Sequence, residues 1–579
     1  MVNLFIQWLK LMMTMPGGAL IRFGIVVLMV AGSYWGSQLM MPKMEYLPEG
    51  NRNLVYAILL PPSGYNVNQM IKVGRRVEDD MAKYWEAEAG SPEEAALDGP
   101  RMKNFFFVAR GGRLFMGAAA EDPLSAGGML PVIRKAASQI PGTYAFVVQS
   151  SLFQSGLSGG RSIDVDITGP DISRLNQLGS MVFMQSMGIG PYEGKGVFPP
   201  MTMSADGTPV PTGHQVTPKS NLESTNPELH VLPNWEHAAD LGVSTEELGY
   251  AVNALVDGAY AGDYWHNGRK IDLVIYGADE YARRTQDLEN LPVSTRSGKV
   301  VNISSLAHVK ATGGPEVVNH IERQRSITIQ IKPNSLMALD EAISLADEKI
   351  RQPLLGSPLT EGGLYQIRFA GTADKLQDTK RAMQGSLLMA GLITYLLMCA
   401  LFESYFYPLI IMTSVALGMV GGFAGLAILN IYFKQPMDTL TMLGFVILIG
   451  VVVNNAILIV HQALQNMKGG MDHQAAILDS TRTRLRPIFM STITTVLGML
   501  PLVVPMPSWN ASGKMVFIPG AGSELYRGLG SVVLGGLIVS TVFTLVLIPL
   551  SFSLALDARQ FFARLFGRAA PVPAVPSVM

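Results

Sequence analysis

Apolar residues in this chain collect into long unbroken stretches, and six of them reach the roughly 20 residues that a helix needs to cross a hydrocarbon core. They are Phe23–Pro42, Ala382–Phe402, Tyr407–Asn430, Thr439–Val460, Pro487–Met506 and Gly528–Leu556, and none contains Asp, Glu, Lys or Arg. The first follows an amphipathic segment, Leu4–Met15, and has no small-residue cleavage site at its far end, so it reads as an anchor and not as a signal peptide. Lys43–Arg381 carries no comparable run and is far too long for a loop, which predicts a folded region outside the membrane.

Within that region the pattern changes to short alternating segments and amphipathic helices. Asn53–Leu60 reads as a strand, Val67–Glu88 as a helix, Asn104–Ala109 and Leu114–Ala119 as a strand pair, Ala126–Gln139 as a helix and Thr143–Gln149 as a strand. This order is β-α-β-β-α-β, the ferredoxin-like unit. A second, interrupted copy is expected from Ser162–Ile167, the helix Asp171–Met187, Leu229–Val231, Ser326–Ile331, the helix Leu336–Arg351 and Tyr365–Phe369. Residues 187–226 are rich in Gly and Pro, whereas 258–305 read as hairpin strands with a short helix at Glu280–Asn290.

Composition sharpens the picture. Hydrophobic residues make up 48% of the 579 positions and charged residues only 15%, well below the quarter or so typical of soluble proteins. Lys+Arg 44 against Asp+Glu 45 leaves a net charge of -1 and no basic patch of the kind nucleic-acid binding needs, so DNA and RNA are not expected partners. A single cysteine, Cys399, excludes an intrachain disulfide and a cysteine-rich metal site. No hydrolase triad, phosphate loop or HExxH string is present, and no cofactor is expected. Lys10 and Arg22, then Lys468, Arg482, Arg484 and Arg486, then Arg559, Arg564 and Arg568 all fall on one side of a six-span arrangement. The positive-inside rule makes that side cytoplasmic and sends Lys43–Arg381 to the other.

Several strings are specific. Residues 400–408 read ALFESYFYP, 450–460 GVVVNNAILIV, 482–492 RTRLRPIFMST and 520–523 GAGS, with YLPEGNRN after the first span. Together they resemble the C-terminal half of a resistance-nodulation-division (RND) efflux permease. The resemblance implies an α+β protein of the bacterial inner membrane: six transmembrane helices and a large periplasmic region of two ferredoxin-like porter subdomains with a docking insertion. The corresponding division is 1–22 (cytoplasmic segment), 23–42 (first span), 43–158 (first porter subdomain), 159–257 and 306–378 (second porter subdomain), 258–305 (docking insertion), 382–556 (five-helix region) and 557–579 (tail). It further implies proton-driven export of hydrophobic or amphipathic compounds and homologous subunits in a trimer. A periplasmic adaptor, an outer-membrane channel and a first permease half carrying an acidic pair complete the implied assembly. A copper-type exporter, or a membrane-anchored assembly module that does not transport, are the alternatives.

The candidate residues follow. Asn454 and Asn455 sit mid-span, Asn454 where the drug-exporting branch often has a lysine facing the Asp pair; the plainer role of both amides is a hydrogen bond across helices. Arg484 and Ser491 match a family arginine and a hydroxyl about two turns further in, and they share one helix face; anchoring and bonding to the helix's own backbone are their ordinary roles. Gly418, Gly421, Gly422 and Gly425 form small-xxx-small patterns suited to close helix packing. Phe105, Phe106, Phe107, Phe115 and Met116 lie on the strand pair that, by resemblance, lines the substrate cleft, although alternation turns one face of it to the core. Met184, Met187, Met201 and Met203, with Met181 and His214, are weak soft-metal candidates against a background of 33 Met, for which packing is the simpler role.

Overall fold

The computed structural model describes the chain except residues 1, 15–17, 48–50, 63, 111–112, 152–160, 204–208, 220–221, 223–225, 279–283, 296, 316, 335, 505–506, 510–514, 518–522 and 566–579. Helix α1 (Val2–Thr14) buries Leu9 and Met13 against the bundle, and α2 (Gly18–Met40) is the first helix of spanning length.

A first sheet follows, built from β1 (Asn51–Leu60), α3 (Val67–Met81), β2 (Met102–Arg110), β3 (Arg113–Ala120), α4 (Met129–Ser138) and β4 (Tyr144–Ser151). The strands are antiparallel in the order β2-β3-β1-β4. Both helices cover one face, where Val77, Met81, Met129 and Ile133 meet Val55, Ala57, Leu59 and Met116. The helix α3 starts where it does because Asn66 and Gln69 close a capping box over its first turn.

The second sheet uses β5 (Ile163–Gly169), α5 (Ile172–Met187) and β6 (Gln215–Pro218) before the chain leaves it. An inserted unit then runs through β7 (Asn226–Pro233), α6 (Thr245–Val256), a hairpin of β8 (Ala259–His266) and β9 (Arg269–Ile275), and β10 (Ala307–Gly314), which pairs with β7. It has its own core of Val243, Leu248, Leu291, Val293 and Leu306. The sheet resumes with β11 (Asn319–Ile321), β12 (Gln324–Lys332), α7 (Leu339–Ala346) and β13 (Gln366–Gly371), in the order β11-β12-β5-β13 with β6 also on β12.

Two expectations are corrected here. The second strand of this sheet is Gln215–Pro218 and not Leu229–Val231, because Val216 enters the core opposite Ile331 whereas Leu229 and Leu232 stay exposed on the β7–β10 ribbon. The inserted unit accordingly reaches from Asn226 to Gly314, wider than 258–305. Of the short helix expected at 280–290, only a 3-10 segment, Thr285–Asn290, lies among the described residues.

Four long helices and a fifth close the chain: α8 (Thr372–Phe402), α9 (Phe406–Tyr432), α10 (Thr439–Lys468), α11 (His473–Val503) and α12 (Ser523–Leu565). With α2 they make six helices, among the described residues, long and apolar enough to cross a membrane. Several overrun the apolar runs; Arg22 near the start of α2 is buried against Asp557 of α12 at 2.9 Å, so these two charges are paired. Helix α12 is central, with 67% of its most apolar window buried against 11% for α8 and for α11. Glycine makes that close packing possible: a Cβ on Gly535 of α12 would lie 2.5 Å from the Gly421 carbonyl of α9 and 2.7 Å from Gly425 Cα.

Candidate functional site

The polar residues of the bundle divide by the face they occupy. On α10 the positions Leu443, Ile447, Gly450, Asn454 and His461 are exposed in one line, as the 3.6-residue period requires. Asn454 makes no side-chain hydrogen bond among the described residues. Its neighbour Asn455 points the other way, is buried, and donates to Thr541 Oγ1 of α12 at 3.1 Å. Thr541 spends its own proton on the Leu537 carbonyl at 2.6 Å, so Thr492 of α11, 3.1 Å away, is the donor in the third contact. Asn455, Thr492 and Thr541 thus tie three helices together. Thr492 and Thr541 were not among the sequence candidates; the hydroxyls at Ser540, Thr541, Thr544 and Ser551 in an otherwise apolar run were the available signal.

Arg484 donates from Nη2 to Gln462 Oε1 of α10 at 2.6 Å, while its Nε is buried with no partner among the described residues. Gln462 continues to Asn466 at 2.9 Å and Asn466 to Asp479 at 3.0 Å, a polar chain across α10 and α11. Ser491 donates to the Ile488 carbonyl at 3.0 Å and sits on the exposed side of α11. The structure therefore leaves Asn454 and Ser491 on uncovered surface and does not join either to Arg484 by a hydrogen bond.

On the first sheet, alternation separates the aromatic set. Phe105 and Phe107 pack toward the helices, and Met116 is 1% exposed in that core, so these three candidates do not border open space from the sheet's free face. Phe106 and Phe115 lie on the opposite face with their rings 5.8 Å apart, and Tyr56 adds a third ring 5.9 Å from Phe115. Gly117 permits this: it pairs with Phe106, whose ring would come within 2.3 Å of any Cβ there. The two sheets are neighbours, since Gln215 donates to the Val147 carbonyl at 3.0 Å and Arg113 to that of Lys219. On the second sheet, Asp164 is held by Lys219 at 2.6 Å and Asp166 accepts from Thr328 at 2.5 Å; burial, foremost, lifts the Asp166 carboxyl above its ordinary value.

Of the methionine candidates, Met181 and Met187 lie half-buried against the second core, and Met184 is half-buried beside Gly190. The strand Met201–Met203 pairs with Pro209–Pro211, and the side chains of Met201 and Met203 lie outside the described residues. His214 is buried, stacks edge-on to Phe198 at 5.7 Å and accepts the Asn334 N–H on Nδ1 at 3.1 Å; burial pushes its pKa down.

A joint connects bundle and sheets. Residues just beyond α2 bridge the segment before α10, with Glu45 N to Met437 O at 3.0 Å and Met437 N to Lys43 O at 3.2 Å. Glu45 is buried, meets Arg161 Nε at 2.6 Å and accepts the Leu339 N–H at the start of α7 at 3.1 Å. Burial raises its carboxyl above the usual range, although Arg161 pulls the other way.

A family model described as the AcrB/AcrD/AcrF family matches residues 8–555. The chain belongs to this family. Its members are RND efflux permeases, transporters and not enzymes. The chain is 30% identical over 357 residues to multidrug resistance protein MdtC of Escherichia coli O1:K1 / APEC, and to the same degree to MdtC of Escherichia coli strain UTI89 / UPEC; the alignments cover 60% of this chain and 32% of each relative. A crystal structure of a heavy metal efflux pump (crystal form II) superposes with a TM-score of 0.70 at 17% identity, over 95% of this chain and 52% of that one. Crystal form I gives 0.68 at 17% identity, over 94% and 50%. At that identity the likeness concerns the fold. The chain spans about a third of the length of the curated relatives and about half of the solved pump.

Proposed function

We propose that this chain is the C-terminal permease half of a proton-driven RND pump that exports hydrophobic or amphipathic compounds, and that it works with a complementary half supplying the mid-span carboxylates. The observation that carries the reading is Asn454, a mid-span amide on an uncovered face of α10 with no partner of its own among the described residues. A polar group there is unfavourable against lipid and suits a second polar face. The six apolar runs hold no acid or base of their own, so the protonatable site belongs to that second face.

The folded region is periplasmic in this reading, a side supported by the three basic segments at the opposite end of the bundle. Its two β-α-β-β-α-β sheets act as porter subdomains and the unit from Asn226 to Gly314 as the docking insertion, with trimer, adaptor and outer-membrane channel as in the family. The exposed Phe106 and half-buried Phe115, backed by the buried ring of Tyr56, suit amphipathic substrates, to which rings offer area without fixed hydrogen-bond geometry. Dye transport into proteoliposomes tests the proposal. The pair of halves moves dye under a proton gradient, the lone chain does not, and Asn454→Leu lowers the rate of the pair without lowering the chain's melting temperature. Gradient-driven transport by the lone chain, or an unchanged rate in the variant, overturns it.

A further inference from the structure

A cavity of about 470 Å³ opens between α2 and α12's neighbours, in the gap where α2 rests on α9 and α8 rests on α9 and α10. That volume falls in the range of small-molecule sites. Its apolar wall includes Met41, Met383, Met419, Met442, Phe423 and Phe445, flexible thioethers beside two rings. Tyr34 and Met41, 65% and 45% exposed, border its open side.

Polar groups gather at one end. Ser37 and Gln38 lie in the last turn of α2, and Lys380 and Gln384 flank the start of the apolar run of α8, all on the bundle end that carries the folded region. From Gln38 down to Val30 the cavity runs about 12 Å into the apolar layer at 1.5 Å per residue. Lys380 has no ion pair among the described residues, and no carboxylate lines the cavity. Glu45, next to the lining residue Met44, is committed to Arg161. A slot with an apolar, adaptable interior and one free cation at the membrane surface has the shape and charge of a lipid site with an anionic head.

We infer that this cavity holds one acyl chain of an anionic phospholipid, with the phosphate on Lys380 and the Gln38 and Gln384 amides beside it. The inference concerns this chain alone and stands independently of the transport reading.

The test uses the full chain in phosphatidylcholine nanodiscs doped with phosphatidylglycerol or phosphatidylcholine bearing a photoreactive acyl chain. Peptide mass spectrometry then maps the labelled residues. Phosphatidylglycerol labels residues 30–44 and 380–387 about fivefold more than phosphatidylcholine does, the factor one basic residue at a membrane surface provides. Lys380→Gln abolishes that preference, Lys380→Arg keeps it, and Ala416→Phe, which fills the cavity, lowers labelling by both lipids. Equal labelling by the two lipids, or a preference that survives Lys380→Gln, overturns the inference. If Ala416→Phe does not fold, the two Lys380 variants decide the matter.

Discussion

Replacing Arg161 by Leu probes how the bundle and the second sheet are held together. In the native chain Arg161 satisfies Glu45 at 2.6 Å and donates to the Asn334 carbonyl at 2.5 Å and to that of Met337, while Glu45 takes the Leu339 N–H at 3.1 Å. The side chains of Glu45 and Arg161 are only 2% and 10% exposed, so neither can recover its lost partner from bulk water. Removing one member of such a pair costs about 3–5 kcal/mol, and removing both with apolar replacements costs much less. Since about 1.4 kcal/mol is a tenfold change in an equilibrium, Arg161→Leu is expected to speed amide exchange at Glu45 and Leu339 by at least about 100-fold, with β1 amides unaffected. Glu45→Leu should show a comparable loss, and the double variant clearly less than the sum. The pH dependence has a defined sign. Burial raises the folded-state pKa of Glu45, so its contribution to stability is fullest below the ordinary carboxylate range and declines as pH rises through the raised value. Additive single losses, or exchange at Leu339 unchanged in Arg161→Leu, would refute the claim that this pair closes the joint.

Gly535→Ala is expected to cost about 1–3 kcal/mol, because its Cβ would press on Gly421 O and Gly425 Cα, backbone atoms that move only if α9 and α12 separate; Gly450→Ala, with nothing within 4 Å, serves as the control in thermal melts of the detergent-solubilised chain. His214 carries a lowered pKa and uses Nδ1 as an acceptor, so the stability it supports is present above its ordinary pKa and is lost as pH falls through the lowered one. Exchange protection at the Asn334 amide should therefore drop on acidification, and the same titration of His214→Gln should be flatter; an identical pH profile in the variant contradicts the assignment.

Hydrophobic patterning alone was enough to locate the six long helices, since a backbone in hydrocarbon must satisfy its own hydrogen bonds and only an unbroken apolar helix does so within one segment. Local alternation likewise marked the strands of the first sheet, whose members are close in sequence. What the chain does over longer distances was not legible. Gln215–Pro218 and Leu229–Val231 each offer only one or two apolar side chains, and only the register of Val216 against Ile331 decides which one completes the second sheet. Asn454 and Asn455 are chemically identical and adjacent, yet the 100° step of a helix and the position of Thr541 leave one exposed and bury the other. Phe106 differs from Phe105 and Phe107 by a single pleat and by the missing side chain of Gly117 opposite it. Glu45 and Arg161 stand 116 residues apart, and nothing local to either signals the other. Each of these outcomes depends on which surfaces meet once the chain is packed, and pairing across such separations is set by the tertiary fold because burial makes a charge or an amide acceptable only where its partner also lands.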